Sequence, residues 1–180
     1  KLTASTLREI EQVKRSVSDM MALTIPFRLK FEWVNTQRLI HDCLGIVEFR
    51  MRYQGVSARI RLSSEMKQIF VDTKRIEQAL VNLMLNSLDV LQRGGRIFIT
   101  SRIVLIDDQS WNEIDIADNG PGIAKERLPY VFDPFYSLKP DGIGLGLGNV
   151  RKIVEAHGGN VLVRQRRNGG VVFTLRLPRK

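Results

Sequence analysis

Two carboxamides stand one helical turn apart in the segment TKRIEQALVNLMLNSLDVLQR, residues 73–93: Asn82 and Asn86. With Gln78 and Asp89 they make one narrow polar stripe at spacings of four, four and three. Ile76, Ala79, Leu80, Leu83, Met84, Ser87, Val90 and Leu91 form a broad apolar face, and Val81, Leu85 and Leu88 cover much of the remainder, so the helix should be buried. A buried amide without a partner costs about 1–3 kcal/mol. The stripe therefore faces a wet cleft, a polar neighbour or a ligand. Hydrogen bonds to loops of the same domain would satisfy Gln78. Asn82 and Asn86 present carbonyl oxygens to one point, where a hard cation such as Mg²⁺ accepts them while keeping waters and phosphate oxygens at its other positions.

A second constellation, DIADNGPGI at residues 115–123, puts Asp118 at a strand end with Gly120 and Gly122 beyond it. It reads either as a turn in which Asp118 bonds its own backbone, or as a place where bare backbone approaches a flat ligand. In the second case the carboxylate accepts from an exocyclic amine, which favours adenine over guanine. A third, KPDGIGLGLGNVRKIV at residues 139–154, has glycine at every second place from Gly142 to Gly148. The spacing fits neither the dinucleotide fingerprint nor a Walker A loop, because no GxGxxG and no glycine followed by Lys and a hydroxyl residue occurs. Bare amides at a helix start do bind anions, and the glycines and prolines of residues 133–146 would let that loop move.

The elements that must carry these groups follow from periodicity. Leu7, Ile10, Val13, Val17, Met20 and Met21 predict an amphipathic helix over 2–24, ended by Pro26 and wanting helical partners. Residues 27–34 predict a strand, Asn35 caps a helix to about residue 53, and two short strands lead to Asp72, the cap of the asparagine helix, which should end at Gly94-Gly95. Two strands around a polar connection, a short helix, a loop over 132–142, a helix over 145–157 and a strand pair around RNGG complete the chain. The expected class is α+β, a two-layer sandwich of helices on one face of a mixed sheet.

The 180 residues, 43% hydrophobic and 26% charged, suit one globular domain with a short addition. No signal peptide or apolar run long enough to span a membrane is present. Cys43 reads as a small buried side chain. The net charge of +9 raises nucleic acid as a partner, but the basic residues are scattered and aromatics do not interleave with them. A polyanionic nucleotide is an equally natural beneficiary. The cluster RQRRNGG reads as a hairpin with its arginines in water, and His157 sits at a helix C-terminus, where positive charge is welcome.

Together the segments resemble a family. EQALVNLMLNSLD is similar to the N box of sensor histidine kinases, DNGPGI to their G1 box, FDPFYSLK to their F box and GIGLGLGNVRKIVEAHGG to their G2 box. The order and spacing match across residues 75–160. The resemblance implies the ATP-binding fold of the gyrase, Hsp90, histidine kinase and MutL superfamily over 26–180. Before it, residues 1–25 would be the second helix of a dimerisation and phosphoacceptor domain. It further implies Mg²⁺ on Asn86, phosphates beside Asn82, and the adenine amine on Asp118, with Gly120, Gly122 and Ile123 around the base. Phe132 and Phe135 would anchor a lid, with Gly142, Gly144, Leu145, Gly146 and Leu147 along the phosphates.

Asn82 stands where hydrolytic relatives carry Glu, and an amide cannot serve as that base, so transfer rather than hydrolysis is implied. Asp89 falls near the place of a frequent Lys, which leaves Lys139 or Arg93 to supply positive charge; Ile143 replaces a frequent Thr or Ser. The phosphoacceptor histidine would precede residue 1, since His41 lies inside the catalytic domain's own helix and His157 reads as structural. Implied partners are that acceptor helix, of the same or the partner subunit, and a response regulator receiver domain, in a homodimer. The domain itself would be cytoplasmic and the full protein anchored in the inner membrane. A degenerate nucleotide-gated scaffold without kinase activity is the alternative.

Overall fold

The structure, a computed structural model, describes residues 28–137 and 143–180. The helix expected over 2–24 lies outside the described residues. Helix α1, Thr36–Gln54, begins where Asn35 Oδ1 accepts the Arg38 N–H at 2.9 Å, and closes at Gly55 in the left-handed conformation. It buries Leu39, Ile40, Cys43, Val47 and Met51. Helix α2, Thr73–Val90, is the asparagine helix, and Asp72 caps it by accepting the Arg75 N–H at 3.1 Å. The other carboxylate oxygen of Asp72 takes the Lys30 N–H at 2.8 Å, which fastens the incoming chain to the start of α2. Helix α3, Gly146–Ala156, packs beside α2, and α2 beside α1.

Strands β2 (Ser57–Arg61), β4 (Arg96–Ile106), β5 (Gln109–Asp118), β6 (Asn160–Gln165) and β7 (Val171–Pro178) form a sheet in the order β2-β4-β5-β7-β6. Among the described strands only β2 and β4 pair in parallel. Strands β1 (Glu32–Asn35) and β3 (Gln68–Val71) make a separate antiparallel pair. The register sets Ile99 opposite Ile116 and Ile116 opposite Phe173, and these side chains share one face. There they meet Ile76, Leu80, Leu83, Met84 and Val150 of the helices in the main core. The alternate residues of β5, Glu113 and Asp115, point the other way. The expected α+β sandwich is therefore present, with a mixed sheet and helices layered on one face.

The differences are local. The strand expected over 27–34 is confined to Glu32–Asn35. Helix α2 stops at Val90, four residues before the glycine pair, because Leu91 turns to extended backbone and returns its side chain to the core. Leu88 consequently takes the buried place expected of Val90, which is 41% exposed. In the β6–β7 hairpin the arginines are not simply solvated. Arg164 approaches Asp115 at 3.6 Å, and the Arg166 guanidinium lies 4.2 Å above the Phe98 ring.

Candidate functional site

Asn82 and Asn86 stand on α2 at the edge of the core, both half-buried. The Asn82 Nδ2 atom is fully buried and finds no hydrogen-bond partner among the described residues. Such a group is costly unless something else occupies the space beside it. Across from the stripe is the start of α3: a Cβ built on Gly146 would lie 4.0 Å from Asn86 Nδ2. The first turn of α3, with its unpaired amides and positive dipole end, thus stands against the second asparagine.

Asp118, at the end of β5, is 1% exposed. Its Oδ2 accepts the Ser87 hydroxyl at 3.2 Å and its Oδ1 accepts the Gly120 N–H at 2.9 Å. Burial pushes its pKa above the usual carboxylate range, against the opposing pull of Gly120, Ser87, the Val171 N–H and the nearby Arg166. Ser87 follows Asn86 directly, so one turn of α2 touches both the asparagine pair and the strand-end carboxylate. Behind them the β6–β7 turn closes the site: a Cβ on Gly170 would fall 2.0 Å from the Asp118 carbonyl oxygen, so only glycine fits. Gly122 lies against Gln165 of β6, and Ile123 packs on the core edge.

The chain after the short 3₁₀ turn Lys125–Tyr130 is held at both of its described stretches, around Phe132 and at Phe135–Gly144. Phe132 packs edge-on against Phe173, with ring centroids 6.1 Å apart. The Phe135 N–H donates to the Gly144 carbonyl at 3.1 Å, and a Cβ on Gly144 would sit 2.4 Å from the Phe135 carbonyl carbon. Phe135 itself adopts φ 67° and exposes its ring. Leu145 is buried and Leu147 packs on the core beside it. Lys139 and Gly142 lie outside the described residues.

Asn82, Asn86, Ser87, Asp118, Gly120 and Gly146 therefore meet in one region, built from α2, the end of β5 and the start of α3. Asp89, expected at the same site, directs its carboxylate to Arg50 of α1, with which it forms a short ion pair. Ser87, Gly170 and Arg50 were not singled out from the sequence. Ser87 had a readable signal, a hydroxyl breaking an apolar face beside the asparagine; the other two depend on tertiary neighbours.

His157 is buried and neutral rather than positively charged. Its Nε2 accepts the Asp72 N–H at 3.0 Å and its Nδ1 bonds the Ile153 carbonyl at 2.7 Å, while burial pushes its pKa down. His41 is exposed on α1, away from these contacts. Among the described residues no group of three or more His, Cys, Asp or Glu side chains is arranged to hold a metal. Any cation here would draw on Asn86, water and ligand oxygens, a donor set that suits Mg²⁺ bound with a phosphate chain.

Residues 71–180 match the family of histidine kinase-, DNA gyrase B- and HSP90-like ATPases. The chain belongs to that family. Among similar proteins, sensor histidine kinase ZraS of Salmonella typhimurium is 32% identical over 177 residues, covering 95% of this chain and 36% of ZraS. The chain thus spans about a third of that relative's length. The solved catalytic domain of histidine kinase ThkA is 30% identical with a TM-score of 0.74, covering 83% of this chain and 96% of that one. ThkA in complex with the response regulator protein TrrA gives 26% identity and a TM-score of 0.79, covering 97% of this chain and 49% of that one. The fold is that of sensor histidine kinase catalytic domains, and the matched residues include Asn86 and Asp118.

Proposed function

We propose that the chain binds ATP with Mg²⁺ and holds the γ-phosphoryl group for transfer to a histidine on a phosphoacceptor helix of the same or the partner subunit. The observation that carries this is the buried Nδ2 of Asn82, without a partner among the described residues, on the same stripe as Asn86, whose own Nδ2 lies against the glycine start of α3. In this reading Asn86 supplies a metal oxygen and Asn82 positions phosphate. Asp118 accepts the adenine amine while Ser87 and Gly120 fix its orientation. Gly120, Gly122 and Ile123 border the base. Phe135, Gly144, Leu145, Gly146 and Leu147 border the phosphates, and Lys139 and Gly142 are proposed as further nucleotide-binding residues. When bound, Mg²⁺ would bridge phosphate oxygens and offset charge that develops on them during transfer. Asn82 cannot take a proton from water, which steers the site toward transfer.

The acceptor is neither His157, which is enclosed by its own hydrogen bonds, nor His41 on the exposed face of α1. A receiver domain as the next acceptor has support from the ThkA complex with TrrA. A homodimer anchored in the inner membrane is the proposed setting of the full protein. No helix among the described residues is long and apolar enough to cross a membrane.

Calorimetry with a non-hydrolysable ATP analogue tests the reading. The chain should bind the analogue more tightly with Mg²⁺ than without. Asn86→Ala should lose most of the Mg²⁺ dependence, and Asn82→Ala should weaken triphosphate binding about tenfold or more. With labelled ATP, the chain should phosphorylate a separately supplied phosphoacceptor domain. A folded chain that binds no adenine nucleotide would overturn the proposal.

A further inference from the structure

The asparagine stripe carries no positive charge, yet its fourth polar member, Asp89, is a carboxylate. A triphosphate laid along Asn82 and Asn86 would meet Asp89 one turn further on and be repelled by it. The fold brings a cation to that point from another element. Arg50, in the last turns of α1, reaches across to α2, and its Nη2 donates to Asp89 Oδ1. The two residues are 39 positions apart in sequence, so this is a tertiary contact rather than a pair along one helix.

A guanidinium carries five N–H donors in a planar fork. Among the described residues Arg50 is engaged through Nη2, and the side chain keeps 35% of its surface. That geometry suits phosphate: a planar fork of donors with one nitrogen anchored by protein. An ion pair that only joined two helices at the surface would contribute little and would have no reason to end on the polar stripe next to Asn86.

From this arrangement we infer that Arg50 is a phosphate-binding residue of the site and that Asp89 is its positioning residue, not a nucleotide ligand. Arg50 then supplies from α1 the charge that α2 lacks. The inference rests on the ATP-binding reading above and extends it to an element that sequence motifs do not mark.

The test compares ligands that share the adenosine and differ in phosphates. Affinities for adenosine, ADP and a non-hydrolysable ATP analogue are measured calorimetrically at low and high salt, for the parent chain and for Arg50→Ala, Arg50→Lys and Asp89→Asn. Arg50→Ala should weaken the triphosphate about tenfold or more while adenosine binds as before, and the salt dependence of triphosphate binding should become shallower. Arg50→Lys should recover part of the loss, because the charge returns without the fork. Asp89→Asn, which loosens the anchor of Arg50 and also removes the repulsion, should change the affinities for ADP and the triphosphate while adenosine binds as before. A purely structural pair would instead lower the melting temperature and weaken all three ligands together. If Arg50→Ala loses its cooperative melt, the same ratio read on the other two variants decides. An unchanged triphosphate-to-adenosine ratio overturns the role of Arg50, whereas a parent chain that binds none of the three ligands overturns the ATP reading itself.

Discussion

At the scale of single residues, the site is a set of groups held in states they would not choose alone. Asp118 shows this best. Buried at the end of β5, it has lost most of its hydration, and burial raises its pKa even though Ser87 and Gly120 donate to it. A carboxyl whose pKa is higher folded than unfolded weakens the folded state as pH rises. The loss begins near the unfolded value and is complete above the folded one. Asp118→Asn removes that penalty, since an amide oxygen still accepts the Gly120 N–H and its NH2 can donate to the Ser87 oxygen, with the Val171 N–H left to share the single amide oxygen. The expected outcome is a chain that melts at the same or a higher temperature at neutral pH and has lost its discrimination between adenine and guanine nucleotides. Thermal melts from pH 3 to 8, paired with competition between the two nucleotides, check it. Retained adenine preference would show that Asp118 is only a turn residue. Cys43 stands at the opposite pole: buried under α1, its thiol is pushed up to about 12, and it serves packing alone.

At the scale of elements, the seam between α3 and α2 depends on one imidazole. His157, the C-cap of α3, accepts the backbone N–H of Asp72, and the Asp72 carboxylate caps α2. Burial holds His157 below its ordinary pKa. For Asp72 burial works against the charge, but the N–H groups of Lys30 and Arg75 and the nearby His157 outweigh it and depress the pKa. Both shifts act in one direction. As pH falls below about 6.5 the unfolded His157 takes up a proton that the folded one resists, so stability drops. A second drop follows as pH falls through the lower carboxylate range. His157→Gln offers an acceptor that does not titrate, and should remove the first drop while leaving the second. Urea melts between pH 4 and 7.5 check this; an unchanged slope across the histidine range would show that the seam does not rest on this contact.

Much of this seam was legible beforehand. Asp72 and Asn35 carry helix starts because a short side chain can satisfy an amide locally, and the stripe of Asn82 and Asn86 follows from helical spacing. The neutral state of His157, the Arg50 contact and the early end of α2 at Val90 were not. Each is decided by a neighbour distant in sequence, and helix periodicity carries no information about such neighbours.

At the scale of the whole molecule, the two faces of the sheet hold different kinds of order. The helix-covered face is apolar, and the site lies along its edge. The opposite face carries two buried carboxylates on β5, Glu113 and Asp115, each almost without exposed surface. Arginines from the neighbouring strands surround them. Arg102 of β4 bonds both, at 2.7 Å to Asp115 and more closely to Glu113. Arg176 of β7 reaches Glu113 at 2.7 Å, Arg164 of β6 approaches Asp115 at 3.6 Å, and the Thr174 hydroxyl donates to Asp115 at 2.6 Å. Four strands are tied through two acids, so removing one cation exposes both acids to mutual repulsion. Arg102→Ala should therefore destabilise the chain by about 1–3 kcal/mol, the scale of hydrogen bonds to charged groups. The urea midpoint should fall with little change in slope, and part of the loss should return with added salt, which screens the remaining pair. Combining it with Glu113→Gln should cost less than the sum of the two changes, because the Arg102–Glu113 contact is lost only once and the repulsion between the two acids is removed. Nucleotide affinity should be unaffected below the melt, since the network lies on the far side of the sheet from Asn86. An Arg102→Ala chain as stable as its parent would mean that the acids are satisfied by Arg164, Arg176 and Thr174 alone, and that the strands are held together by their ladder and apolar face without this network.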